Sequence, residues 1–341
     1  MSLIEAAISA VEKTPLPDPV TRLGIKLLCS KTARKLATAP AGDEARFATT
    51  MVDHPIAEHT DLANDQHYEL PPQFFGLTLG PRRKYSCCLY PTGTETLEQA
   101  EVLALAETVA HAGLVDGQHI LELGCGWGSL TLYMAEHFPA STIVAVSNSA
   151  PQRAHIEAAA QRAGLGNVTV ITADMNDFQP SDRFDRVVSA EMFEHMANWT
   201  TLLARVRTWL RPDGRLFLHV FSHRSQPYRF DRADKADWIA QHFFTGGIMP
   251  SHGLIGHFPD SFTLEQQWRW NGRHYQQTAI DWLARFDANR TAIDAELLAV
   301  YGADAGLWRR RWRLFYLATA GLFGHADGAE WGVSHYLLRP E

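Results

Sequence analysis

Residues 189–196, Ser-Ala-Glu-Met-Phe-Glu-His-Met, place Glu191, Glu194 and His195 where an apolar run gives way to a turn. Two carboxylates and an imidazole are costly to bury at a strand end unless they are used. Together they offer cation binding and proton transfer. A second stretch with chemical potential is Leu-Glu-Leu-Gly-Cys-Gly-Trp-Gly-Ser-Leu, residues 121–130. Gly124, Gly126 and Gly128 permit a tight turn and close backbone approach to a ligand. Nicotinamide cofactors use GxGxxG, which seats a pyrophosphate on a helix N-terminus. Here the spacing is GxGxG, Trp127 precedes the third glycine, and Glu122 suits a ligand carrying positive charge.

These residues need a scaffold that brings strand ends together. From about residue 117 the pattern alternates. Short β-branched or apolar runs at 119–124, 142–147, 168–171, 185–190 and 215–221 predict strands, and 128–137, 150–163 and 199–210 predict helices between them. Such alternation gives an α/β fold with a parallel, doubly wound sheet, whose ligands lie beyond the carboxyl ends of the strands. Both the glycine loop and the Glu191–His195 run fall there. Residues 1–14 and 19–37 predict helices split by Pro-Leu-Pro-Asp-Pro, and 333–339 predicts a last strand. The helix at 19–37 carries Arg22, Lys26, Lys31, Arg34 and Lys35. It reads as a solvated face or as a surface for an anionic membrane. Three regions follow: an N-terminal helical extension (1–66), a cofactor-binding core with its lead-in (67–224), and a helical cap or substrate region with the final strands (225–341).

The 341 residues, 46% hydrophobic, are enough for one large domain with additions. A net charge of −7 argues against a nucleic-acid binder. Cys29, Cys87, Cys88 and Cys125 form no CxxC pair, so no structural metal and no disulfide framework is expected. With no leader pattern and no run long enough to span a bilayer, the expectation is a soluble cytoplasmic protein, with a homodimer left open.

The glycine loop with Glu122 resembles motif I of class I S-adenosylmethionine (AdoMet) methyltransferases. That resemblance implies a Rossmann-like core in which Glu122 attracts the methionine ammonium. The second strand ends in Val-Ser-Asn-Ser-Ala-Pro-Gln rather than in an acid, so Asn148 and Gln152 would serve the ribose hydroxyls. Asp174, followed by Met175, is placed either to meet the adenine or to cap its own loop. The lead-in at 67–91 is similar to that of the cyclopropane-fatty-acid synthase family, through Tyr68 and the Tyr85-Ser86-Cys87 run. Phe193-Glu194-His195, 216–219 and 245–251 continue the likeness. It implies that Tyr68, Tyr85 and Ser86 close over AdoMet while Gly124, Gly126, Asn148 and Gln152 hold it.

The family divides by chemistry. Its cyclopropane synthases use a bicarbonate base held by a Cys, a Glu, a His and a Tyr. Cys87, Glu194 and His219 stand at the first three positions, and Phe315 or Tyr316 falls near the fourth. Its other branch contains the coclaurine N-methyltransferases, whose Glu-Leu-Phe-Glu-His-Met resembles residues 191–196; the synthases usually carry a small residue where Glu191 stands. An amine is protonated near neutral pH and cannot attack until it loses a proton. The resemblance thus implies Glu191 for cation binding, and Glu194 and His195 for proton removal and orientation. Phe258, Trp268 and Trp331 offer a substrate wall or core packing, and Cys87 and His219 also read as packing residues. The expected substrate is a small amine or nitrogen heterocycle. The alternative is a lipid C-methyltransferase or cyclopropane synthase with peripheral membrane contact.

Overall fold

A computed structural model describes residues 12, 14, 16–58, 70–234 and 237–341. The expected helix at 1–14, the boundary at 66/67 and Tyr68 lie outside or largely outside the described residues. In chain order the helices are α1 (Asp18–Ala37), α2 (Asp43–Thr50), α3 (Pro72–Thr78), α4 (Leu97–His111), α5 (Ser129–His137), α6 (Ala150–Ala163), α7 (Trp199–Trp209), α8 (Trp238–His242), α9 (Arg273–Ala288), α10 (Arg290–Tyr301) and α11 (Ala305–Phe323). The strands are β1 (His119–Leu123), β2 (Thr142–Ser147), β3 (Val168–Thr172), β4 (Phe184–Ala190), β5 (Leu210–His223), β6 (Tyr228–Arg229), β7 (Ile248–Met249), β8 (Phe262–Asn271) and β9 (Trp331–Pro340).

One seven-stranded sheet runs β3-β2-β1-β4-β5-β9-β8. The first five strands are parallel, and β9 and β8 close the edge antiparallel. Strand order reverses between β1 and β4, so a crevice opens beyond their carboxyl ends. Leu121, Leu123, Val187 and Val188 are fully buried because helices cover both faces of these central strands. The turn after β1 hangs on its neighbour: Gly124 and Cys125 both donate N–H to the Val146 carbonyl at 2.9 Å. Sequence-coded caps fix the helices around it. Thr96 and Gln99 form a capping box on α4, Ser149 caps α6, and the Asn198 side chain accepts from Thr201 N–H on α7.

β8 is absent from the sequence-based expectation. Phe-Thr-Leu-Glu-Gln-Gln-Trp-Arg-Trp-Asn is largely exposed, being an edge strand with a register shift at 264–266, so its polar residues hide the period of two. The stretch 225–341 therefore supplies two strands of the main sheet as well as helices. On α1 the basic side chains Arg22, Lys26, Lys31, Arg34 and Lys35 face solvent, while Thr21 and Cys29 are buried. Among the described residues no helix is long and apolar enough to cross a membrane.

Candidate active site

β4 delivers Glu191 to the crevice in an unusual backbone conformation. Its φ is +52°, a left-handed value that β-carbon sterics disfavour, and its N–H donates to the His219 carbonyl at 2.8 Å. The carboxylate is gripped on both oxygens. Oε1 accepts from the Cys87 backbone N–H (2.9 Å) and lies 3.2 Å from His219 Nε2; Oε2 accepts from the Tyr275 hydroxyl at 2.5 Å. An ionised Glu191 fixes His219 as the Nε2–H tautomer. Burial raises the Glu191 pKa, opposed by the Lys84 ammonium and by the Cys87 and Tyr275 hydrogen bonds. Lys84 is itself buried and donates to Ser86 Oγ (2.5 Å) and to the Cys87 carbonyl (2.6 Å). The loop holding these groups is pinned by the buried Glu101 of α4, which accepts from the N–H groups of Arg82 and Lys84. From α9, Thr278 accepts from Cys88 N–H.

The short turn Phe193–His195 then separates its two titratable groups. His195 lines the crevice, its ring stacked on Phe244 with centroids 4.2 Å apart. Burial lowers its pKa to about 4, partly offset by Glu191, so it is a neutral imidazole at pH 7. Glu194 points the other way. It is fully buried, Oε1 accepts from the Phe221 N–H of β5 at 2.6 Å, and Oε2 has no hydrogen-bond partner. Burial and the Glu191 charge hold it well above the carboxylate range, so it is protonated. The expected pairing of Glu194 with His195 in proton removal therefore loses its geometric basis, because a one-residue step round a tight turn reverses the side chain.

Beside Glu191 runs an open cleft of about 130 Å³, lined by Gly124, Gly126, Asn148, Gln152, Asp174 and Met175 among others. A second hollow of about 60 Å³, sharing Tyr85, Gly124 and Gly126 with the first, is lined by Ser86 and Glu122. Nine of the ten residues expected at the cofactor thus line two hollows that share Tyr85, Gly124 and Gly126. The tenth, Tyr68, lies outside the described residues. The fit to a charged nucleoside cofactor rests on three features. Gly126 has φ +52° and open space where a Cβ would stand. The buried Gln152 keeps its Nε2 without a partner while its Oε1 accepts from Ser147 Oγ at 2.6 Å. Glu122 is buried with the Thr131 hydroxyl donating to it at 2.5 Å, and burial lifts its pKa to about 8. Asp174 lines the cleft, and its Oδ1 accepts from Asn176 N–H at 2.7 Å, so it caps its own loop.

Other expected residues fall elsewhere. Cys87 faces Glu191 through its backbone N–H, whereas its thiol donates to the Cys88 carbonyl and is kept protonated by burial. His219 touches Glu191 but lines neither hollow. None of the three aromatics expected as a substrate wall lines the cleft. Phe258 packs near Trp199 in the core, Trp331 is fully buried beside His223, and Trp268 stacks on His111. They are large apolar rings that complete cores or cover the sheet edge. The tyrosine meeting the Cys87–His219 group is Tyr275, at the start of α9. Phe315 stacks on Phe243, and Tyr316 lies among Trp282, Phe286 and Trp312. Sequence reading also missed Lys84. Neither residue has a spacing signal, since each reaches the site by tertiary packing.

Comparison with known proteins places these features in context. The family model for mycolic acid cyclopropane synthetase matches residues 57–325. The chain is similar to an (S)-coclaurine N-methyltransferase of Thalictrum flavum subsp. glaucum, 34% identical over 83% of this chain and 80% of that protein. It is 31% identical to the cyclopropane-fatty-acyl-phospholipid synthase of Escherichia coli (strain K12), over 80% of this chain and 67% of the synthase. Among solved structures, coclaurine N-methyltransferase bound to N-methylheliamine and S-adenosylhomocysteine (SAH) superposes with a TM-score of 0.95. That structure is 29% identical in sequence, and the match covers 99% of this chain and all of that one.

Proposed function

The chain belongs to the mycolic acid cyclopropane synthetase family of AdoMet-dependent methyltransferases, and from that premise we propose that it methylates the nitrogen of a small amine or nitrogen heterocycle. The observation that carries this reading is the seating of Glu191. Cys87 N–H, His219 Nε2 and Tyr275 OH form an oxyanion cradle, and a protein carboxylate already fills it. A bicarbonate base, needed under the lipid reading, would find its donors taken. A cationic amine instead finds a fixed, oriented carboxylate beside a neutral imidazole. The similarity to coclaurine N-methyltransferase supports the same acceptor class.

AdoMet, when bound, supplies an electrophilic methyl group on a sulfonium sulfur. Glu122 is assigned to its ammonium, Gly124 and Gly126 to close backbone approach, Asn148 and Gln152 to the ribose hydroxyls, and Asp174 and Met175 to the adenine. Tyr85 and Ser86 cover the junction of the two hollows. Glu191 attracts the substrate ammonium and, with His195, accepts the proton that frees the nitrogen lone pair. With that proton passed on, the regained Glu191 carboxylate stabilises the positive charge that develops on nitrogen as the methyl arrives. Most of the remaining acceleration comes from holding the reactants in line. A cytoplasmic site of action belongs to this proposal, supported by four buried, unpaired thiols.

The test is a panel of amines and phospholipids incubated with labelled AdoMet and read by mass spectrometry. The expected result is one methyl added to a secondary amine, with no bicarbonate requirement. Label appearing only on acyl chains would overturn the reading.

A further inference from the structure

Lys84 is a buried cation bonded only to neutral groups. It is 3% exposed, and its Nζ donates to Ser86 Oγ at 2.5 Å and to the Cys87 carbonyl at 2.6 Å. Among the described residues no carboxylate forms an ion pair with it. The two acids around its loop are engaged elsewhere. Glu101 accepts from the Arg82 and Lys84 N–H groups, and Glu191 holds Cys87 N–H, His219 and the Tyr275 hydroxyl. An ion taken out of water without a counter-charge is costly, so a function is expected of it. Lys84, Ser86 and Glu122 line the smaller hollow together. One hollow thus offers an acid and an ammonium. The α-amino acid end of AdoMet carries the complementary pair, an ammonium and a carboxylate on one carbon. We propose that Lys84, directly and through Ser86, anchors the carboxylate of the cofactor, so that the hollow selects a donor with an intact amino-acid zwitterion.

The donors on this hollow are left over from the protein's own bonding. An ammonium has three hydrogens, and Lys84 commits two of them to Ser86 and Cys87. Ser86 Oγ accepts from Lys84, which leaves the serine's own hydrogen to donate. Ser129, the first residue of α5, lines the same hollow, and its Oγ has no hydrogen-bond partner. It stands at the helix end whose dipole favours an anion. Arg83 adds a second cation to the lining, with its Nη1 donating to the Pro72 carbonyl at 3.1 Å. Against these stands a single acid, Glu122, held by the Thr131 hydroxyl. The division of charge has a consequence for specificity. A nucleoside thioether ending in an aminopropyl chain carries the ammonium alone. It would satisfy Glu122 and leave Lys84 buried without a counter-charge, so binding it forgoes the charge-assisted hydrogen bonds that the carboxylate accepts. The loop before α4 thereby reads the far end of the donor, while the glycine turn and the strand ends read its nucleoside.

This inference rests on the cofactor bed assigned above, and the experiment separates the two. The full chain is titrated by calorimetry at about pH 8, where Glu122 is half ionised, with SAH and with S-adenosyl-3-thiopropylamine, which is SAH without its carboxylate. Wild type should bind SAH between about 10-fold and 100-fold more tightly than the analogue. Lys84→Met should weaken SAH by about that factor and leave the analogue within about threefold of wild type, so that the preference collapses. Ser86→Ala keeps the ammonium and should lose part of the preference, on the order of threefold. Equal binding of the two ligands by wild type, or an equal loss of both in Lys84→Met, would overturn the carboxylate anchor alone. Failure of wild type to bind SAH would overturn the cofactor bed as well. If Lys84→Met does not fold, Ser86→Ala decides the matter, and an undiminished preference there would overturn the proposal.

Discussion

Glu122 offers a quantitative check on the cofactor site. It is buried against Thr131 with its pKa lifted to about 8, so in the ligand-free protein it is mostly a neutral acid at pH 7. The ammonium of SAH needs the carboxylate. One unit below its pKa, binding must expel about 0.9 proton from Glu122. The ligand's amino group, that of a free amino acid, is already an ammonium at pH 7, so the net release there is about 0.9 proton. The release shrinks as pH rises through the Glu122 pKa, to about half a proton at pH 8. Affinity should therefore fall about tenfold per unit as pH drops below 7. The linkage also bears on stability. The folded protein holds a proton that the unfolded chain releases above 4.5, so ligand-free stability falls as pH rises from 4.5 to about 8. Titration calorimetry of SAH in buffers of different ionisation enthalpy measures the protons directly. Glu122→Gln should abolish the release at pH 7. A release that does not shrink between pH 7 and 9, or an undiminished release in Glu122→Gln, would refute the assignment.

Three further outcomes are expected. Glu191→Gln should lower amine turnover by a factor on the order of 10² while SAH still binds, as measured by steady-state kinetics beside calorimetry. Glu194→Gln should keep kcat within about threefold, since the native group is already neutral, whereas Glu194→Ala leaves the Phe221 N–H buried without an acceptor and should cost about 1–3 kcal/mol in chemical denaturation. Gly124→Ala and Gly126→Ala should separate folding from binding. A Cβ at 124 would stand 2.5 Å from Met192 Cβ in a backbone with φ +76°, so that variant should lose several degrees of melting temperature as well as SAH. At 126 no protein atom lies within 4 Å of the added Cβ, so the left-handed backbone is the only strain on folding and the main loss should be in SAH affinity.

Much of the scaffold was legible because parallel strands buried on both faces write continuous apolar runs. β2 and α6 were read to the residue, and β1, β3, β4 and α7 to within one. The glycine loop was legible for a related reason: a tight turn between a strand and a helix needs glycine, whatever lies around it. What the sequence hid was set by distant packing. Glu194 and His195 are neighbours in a promising motif, yet the turn that parts them depends on Phe193 and Glu194 being drawn into the core. Tyr275 and Lys84 come to Glu191 from segments 84 and 107 positions away in the chain, with no pattern to link them. The edge strand β8 failed for the opposite reason, being too polar to look like a strand at all. Aromatic content misled as well. Phe258 and Trp331 are core residues, and nothing in a list of rings says which will face a cavity.

The left-handed backbone at Glu191 places two chemistries of one family close together. A glycine would settle into that conformation more comfortably than glutamate does, and its arrival would vacate a carboxylate-sized seat. The Cys87 amide, His219 and Tyr275 would still converge there, ready for a small free oxyanion from solution. On this view the division between a built-in base and a borrowed one is a single replacement at a position already shaped to tolerate it. Selection can cross it without rebuilding the loop, the sheet or the cofactor bed.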